Sequence, residues 1–266
     1  MTECERFINE GLFTQDFFKE EVQCDFLITS RRKRIWAVEI AALLQLDAVC
    51  KRHGLQYSLA FGGLLGAVRH QGFIPWDEDI DVLMYRKDYE RLFELGDEFS
   101  EPYFLQTPYS DPGAVFSTIR LRNSNTTWMV KEFSAEGFNH GLGIDIFPLD
   151  NWRMSGAEPV EDEIKNLIWD CSTYLRRNYQ NKSLETEIRV REYVQRKGVD
   201  RGLADWERIQ RLAQRFSHAT ADCVACVCIS AYPYERMKWP ISFFPHLSCC
   251  HFVDLSSRFL LPIMMF

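Results

Sequence analysis

Residues 62–81 read GGLLGAVRHQGFIPWDEDID, and this stretch constrains the fold of the chain most tightly. Paired glycines open it and carboxylates on alternate residues close it. If Ile80–Met84 forms a strand, side chains alternate between faces, so Asp79 and Asp81 share one face while Ile80 and Val82 take the other. Two carboxylates side by side repel and raise each other's pKa unless a cation lies between them. Oxygen-only donors suit Mg²⁺, or Mn²⁺, better than zinc. Asp77 has the same parity but precedes the strand, and Glu78 has the opposite parity and is not assigned as a ligand. A short acidic run is most often a solvated turn. Here bulky apolar residues, Phe73-Ile74-Pro75-Trp76, lead directly into it and Val82-Leu83-Met84 continue as a buried run.

Upstream, Leu55–Ala60 reads as a strand and Leu64–Arg69 as a short helix, with Gly62-Gly63 at the turn between them. Glycines there let backbone N–H groups approach an anion at a helix N-terminus. A bare glycine pair is more often an ordinary tight turn. Arg69 could reach a phosphate, and beside it His70 is better read as orienting substrate or structure than as a general base.

These residues carry a resemblance. The run from Gly62 to Val82 is similar to the signature of the LicD family, which includes bacterial phosphocholine transferases and is related to the fukutin group. Gly63 departs from the pattern, where Thr or Ser is more frequent. The resemblance implies an α+β fold with a nucleotidyltransferase-like mixed sheet flanked by helices. It also implies Mg²⁺-assisted transfer of a phospho-alcohol from a CDP-linked donor such as CDP-choline.

Composition narrows the partners. A hydrophobic content of 46% with 26% charged residues is that of an ordinary globular protein. A net charge of −7 argues against general nucleic-acid binding, which needs a basic face. Nine cysteines, an odd number without framework spacing, and a start without a signal-like pattern imply reduced thiols and a cytoplasmic location. No segment reaches the roughly 18 apolar residues of a membrane span. A lipid-linked acceptor would therefore be met at the inner membrane face, where the basic run Arg31–Arg34 reads either as a solvated helix start or as a peripheral contact with anionic head groups. Cys223, Cys226 and Cys228, with Cys249, Cys250 and His251, invite a zinc reading. The apolar setting of the first three favours buried thiols instead, and zinc is not expected.

The rest of the chain falls into segments. Residues 1–34 form an N-terminal segment docked through Phe13, Phe17 and Phe18. Residues 35–155 form the catalytic core, 156–244 a helical part packed on it, and 245–266 an atypical tail. Within the core the pattern predicts a helix over 35–53 stopped by Gly54, strands at Leu55–Ala60, Ile80–Tyr85, Tyr103–Thr107 and Val115–Leu121, and a helix over Lys87–Phe99. Arg120 and Arg122 share a parity; they either neutralise donor phosphates or are surface charges on an edge strand. In Gly141–Asp150, GLGIDIFPLD, Asp145 stands alone in an apolar strand and needs a partner, most economically the cation held by Asp79 and Asp81. The resemblance agrees, with a matching IDIFPLD and a third acid on a neighbouring strand. Asp150 reads as a cap for the next element. The likeness fades after about Phe244; the ending PHLSCCHFVDLSSRFLLPIMMF reads as a truncation, a shifted frame or a divergent terminus.

The expected chemistry uses Gly62 and Gly63 for the donor phosphates, Asp79, Asp81 and Asp145 for metal and catalysis, and Arg69, His70, Arg120 and Arg122 for substrate. The acceptor would be a hydroxyl of a glycan, teichoic acid or lipopolysaccharide, and CMP would leave. Two rivals stand: a nucleotidyltransferase releasing pyrophosphate, and an inactive truncated relative.

Overall fold

A computed structural model describes residues 2–198, 201–229 and 233–241. Helix α1 (Glu3–Asn9) starts at a capping box in which Thr2 and Glu5 exchange side-chain and backbone hydrogen bonds. A 3₁₀ turn over Gln15–Phe18 stacks Phe17 on Phe13 and sets Phe18 edge-on to both. A small hairpin, β1 (Glu21–Gln23) and β2 (Phe26–Ile28), leads into α2 (Ser30–His53).

Helix α2 starts five residues before the predicted position, because the Thr29 hydroxyl accepts the Arg32 N–H and caps it at Ser30. Gly54 ends it with a left-handed φ of 64°, as expected. The basic run therefore lies inside the first turns of α2, and its side chains are engaged within the protein. Lys33 is buried and paired with Glu21 at 3.1 Å, Arg32 pairs with Glu78 at 2.8 Å, and Arg31 lies over the Trp128 ring.

The central sheet runs β3 (Ser58–Leu59), β4 (Asp81–Tyr85), β7 (Leu142–Trp152), β6 (Ile119–Asn123), β5 (Tyr103–Gln106). Only β4 and β7 run parallel; the other pairs are antiparallel. The first strand is much shorter than the predicted 55–60. The Leu55 N–H returns to the end of α2 at Cys50, and the Gln56 N–H donates to Asp88 (3.1 Å), so neither is free to join the ladder. Thr107 likewise leaves β5 for a turn with Ser110. The predicted helix over 87–99 splits into α4 (Arg86–Phe93) and a 3₁₀ turn at Gly96–Glu98.

Alternation along β4 and β7 divides the core as period 2 requires. Val82, Met84, Ile144 and Ile146 face the main cluster, under α2, whose Ala42, Leu43 and Leu46 belong to the same core. Leu83, Phe147 and Leu149 face a smaller cluster with Val224 and Cys226. Pro148 sits where β7 changes partner. Residue 146 is the last opposite β6 and residue 150 the first opposite β8 (Cys223–Ala225). A missing N–H between those two ladders breaks neither. β8 then pairs with β9 (Lys238–Pro240).

The helical part comprises α5 (Glu158–Leu175), α6 (Leu184–Lys197) and α7 (Gly202–Ala213). Of α6 only Tyr193 is buried. Asp150 does not act as a cap. It is buried and bound bidentately by Arg86 (2.7 and 2.8 Å), which also donates to Gln210 of α7 (2.7 Å). No helix among the described residues is long and apolar enough to cross a membrane. Cys223, Cys226 and Cys228 are buried. Among the described residues no three His, Cys, Asp or Glu side chains form a ready metal-ligating group. Cys249, Cys250, His251 and the atypical tail lie outside the described residues.

Candidate active site

Strand register builds the site. Asp81 on β4 stands opposite Asp145 on β7, and Asp145 opposite Arg120 on β6. The three therefore form a row across adjacent strands. Arg120 holds Asp145 through an Nε–Oδ1 ion pair of 2.7 Å and an Nη2–Oδ2 hydrogen bond of 3.1 Å. Its guanidinium also lies 3.8 Å from the centroid of the Phe116 ring. The partner that Asp145 needs is thus Arg120, where the sequence suggested a cation. Arg122, two residues on, is buried and donates to Gln106 (2.9 Å) and to the Gly141 carbonyl (2.8 Å). Neither arginine is a surface charge, and both line the same cavity as the acids.

Asp79 lies in the extended stretch before β4. Its carboxyl is hydrogen-bonded to that of Asp77, and desolvation with this contact pushes it up to about 6. Asp81 is pushed up to about 8, first by burial and then by Asp145, Asp79 and Asp77, with Arg120 opposing. The acid loop is fastened from α2. The Asp77 carbonyl accepts from Trp36 Nε1 (2.8 Å) and Arg32 Nη1 (3.1 Å). Glu78 turns to Arg32, in keeping with its opposite parity. The resulting cavity, about 480 Å³, collects six carboxylates and three guanidinium groups. Its outer wall is the loop 124–141, tied at its base by the Trp128 N–H to the His140 carbonyl (2.7 Å). Trp128, Met129 and Val130 are exposed there.

Helix α3 (Phe61–His70) begins beside this cluster. Ala60 is its N-cap, and the Ala60 N–H bonds the Asp81 carbonyl (2.8 Å). Gly62 and Gly63 thus occupy the first turn, where N–H groups have no intrahelical acceptor. A Cβ on Gly62 would run into the Asp77 carboxylate, so a side chain there would have to displace that carboxylate. At Gly63 the same atom would have ordinary contacts, which leaves room for the Thr or Ser common in the resembling family. Gly63 and His70 line a separate cavity of about 620 Å³ under the N-terminal segment. Arg69 and His70 lie at the far end of α3, where Arg69 Nε donates to His70 Nε2 (2.9 Å), and neither lines the acid cavity.

The sequence reading missed two groups. Asp77 was set aside for preceding the strand, yet it contacts Asp79 and the start of α3. Glu39 was passed over within an apolar helix, yet it is buried in the wall of the same cavity. Its signal was an acid at helical spacing from Trp36 and Arg32 in the run RRKRIWAVEIAALL.

Residues 54–180 match a family model described as LicD/FKTN/FKRP, nucleotidyltransferase domain. The chain is 42% identical over 81 residues to a lipopolysaccharide cholinephosphotransferase, LicD, of Haemophilus influenzae, covering 30% of each chain. It is also 38% identical over 75 residues to an uncharacterized protein of Rickettsia prowazekii, covering 27% of this chain and 28% of that one. A Rickettsia typhi protein, also uncharacterized, is 32% identical over 75 residues, covering 24% of its length. The matches thus span about a quarter to a third of the relatives' lengths.

Proposed function

Because the chain belongs to the LicD family through its domain at residues 54–180, we propose that it transfers a phospho-alcohol, of the phosphocholine type, from a CDP-linked donor to a hydroxyl of a glycan or glycolipid. The observation that carries this is the cross-strand row Asp81–Asp145–Arg120, set beside Asp79 and the N-terminus of α3. Acids for a cation and cations for a phosphate converge in one cavity.

The chemistry of the lining fits a hard divalent cation, Mg²⁺ or Mn²⁺, although no three of these acids stand ready-made as a metal-ligating group. The donor set is oxygen only, and the acids exceed the guanidinium groups that face them. Asp79 and Asp81 would hold the ion, with Asp145 on the neighbouring strand. When bound, the ion neutralises charge on the attacking and leaving oxygens. The chain supplies the rest. Arg120 and Arg122 direct N–H donors into the cavity toward the donor's phosphates, and the first-turn N–H groups of α3 add to that field. The Asp145 carboxylate takes the proton of the acceptor hydroxyl. The acceptor oxygen bonds to the donor's alcohol-bearing phosphorus, the bond to the CMP oxygen breaks, and CMP leaves. Arg69 and His70 would serve from outside this cavity, by orienting the far part of a substrate.

The test is product analysis with purified protein, Mg²⁺, lipopolysaccharide or teichoic acid acceptor, and CDP-choline, CDP-ribitol or CTP. Release of CMP from one CDP-alcohol, lost in Asp81→Asn, is the expected result. Pyrophosphate from CTP would move the reading to nucleotide transfer, and no product from any donor would sink it.

A further inference from the structure

We infer that Glu39 is a fourth carboxylate of the cation site, contributed by helix α2 rather than by the sheet or the acid loop. The inference rests on the cation reading above and extends its ligand set to a residue outside the signature stretch.

The geometry is that of an arm reaching into the cluster from above. Arg32, Trp36 and Glu39 recur at four and three residues, so one face of α2 presents all three. Arg32 and Trp36 fasten the Asp77 carbonyl. One turn deeper, Glu39 accepts the Ile80 N–H, between Asp79 and Asp81, and it faces Asp79, Asp145 and Asp81. It is 3% exposed and lines the acid cavity. Its Oε2 is buried without a hydrogen-bond partner among the described residues. A glutamate that served packing alone would use both oxygens or be replaced by an apolar residue, since an unpartnered buried polar atom costs stability. A buried oxygen without a partner, on a glutamate that interacts with three other carboxylates, gains a partner when a divalent cation arrives.

The test titrates Mn²⁺ alone, by calorimetry and by its electron-spin signal, into wild type, Glu39→Gln, Glu39→Met and Asp81→Asn. Thermal midpoints are measured with and without the ion. The expected result is a loss of Mn²⁺ affinity of about 10- to 100-fold in both Glu39 variants. Their cation-free midpoints should equal or exceed the wild type's, because the substitution removes a buried carboxyl crowded by three others. A purely structural Glu39 would give the reverse, a lower midpoint with affinity kept. Wild-type Mn²⁺ affinity in either folded Glu39 variant overturns the inference, as does failure of both to fold without the ion. If Asp81→Asn also keeps its affinity, the cation reading itself falls. If Asp81→Asn loses affinity while the Glu39 variants keep it, only Glu39's part does.

Discussion

The Arg86–Asp150 pair permits a sharp test of how the helical part is held to the sheet. Asp150 is 1% and Arg86 13% exposed at the side chain, and two parallel hydrogen bonds of 2.7 and 2.8 Å join them. The same guanidinium donates to Gln210 of α7 and lies 5.1 Å from the Tyr89 ring centroid. Burial works against the arginine's proton, but the charge and hydrogen bonds of Asp150 outweigh it and hold the proton more tightly, while the nearby Cys228 thiol is pushed up to about 12 by burial. Arg86→Met would leave a wholly buried carboxylate unpaired, and Asp150→Leu a nearly buried guanidinium. Each should cost about 3–5 kcal/mol. The double variant replaces both charges by apolar bulk and should fall within about 1 kcal/mol of wild type. The coupling energy is then at least about 5 kcal/mol, above the roughly 0.5–3 kcal/mol usual for a contacting pair. Urea unfolding of the four proteins measures it, with the slope m checked for constancy. Single losses below about 1 kcal/mol, the range of exposed ion pairs, would refute the argument. So would a double variant whose loss equals the sum of the singles.

Three further outcomes are expected. Gly62→Ala should change stability by no more than about 1 kcal/mol, since alanine favours the helix while the Asp77 carboxylate must swing away; calorimetry should show weakened Mn²⁺ binding, and unchanged binding would remove Asp77 from the site. Trp36→Phe keeps the ring stacked on Phe73 but removes the 2.8 Å hydrogen bond to the Asp77 carbonyl, costing about 1 kcal/mol; hydrogen exchange should rise at residues 77–81 and not at β5. For pH, Asp81 keeps its proton up to about 8 in the cation-free fold but releases it near 4 when unfolded. Between those values the folded chain holds more protons than the unfolded one, so stability falls as pH rises through the window. Thermal midpoints without divalent cation should therefore decline from pH 4 toward 8 and flatten in Asp81→Asn; a rising profile would contradict the geometry.

The parts of the fold legible in the sequence were those where a local pattern and the tertiary demand coincide. Period 2 through Ile80–Met84 put Asp81 on a face with Asp145's strand beside it, because a one-residue slip would have turned Val82 and Met84 out of the core. Gly54 stopped α2 because its left-handed φ is what a helix end demands. What stayed hidden depended on which remote atom arrives. Nothing near Asp145 announces Arg120, which reaches it from a strand 25 residues away. Nothing near Asp150 announces Arg86, 64 residues away. The strand at 55–60 has the right alternation and loses two residues to Cys50 and Asp88. Glu39 was obscured by good helical periodicity, since counting apolar positions treats the acid among them as noise.

The cavity's two walls are built differently. The inner one is a sheet ladder and a 24-residue helix that grips the acid loop at successive turns. The outer one, residues 124–141, has no regular element beyond a single 3₁₀ turn at Lys131–Phe133. Substitutions on the inner wall disturb charge, register and packing together, whereas those at Trp128 or Val130 alter the outer lining. If the proposed reaction holds, reactivity and choice of substrate are separate targets of mutation. On the proposed reading, changes in this loop would exchange one alcohol or acceptor for another without moving the row of acids beneath.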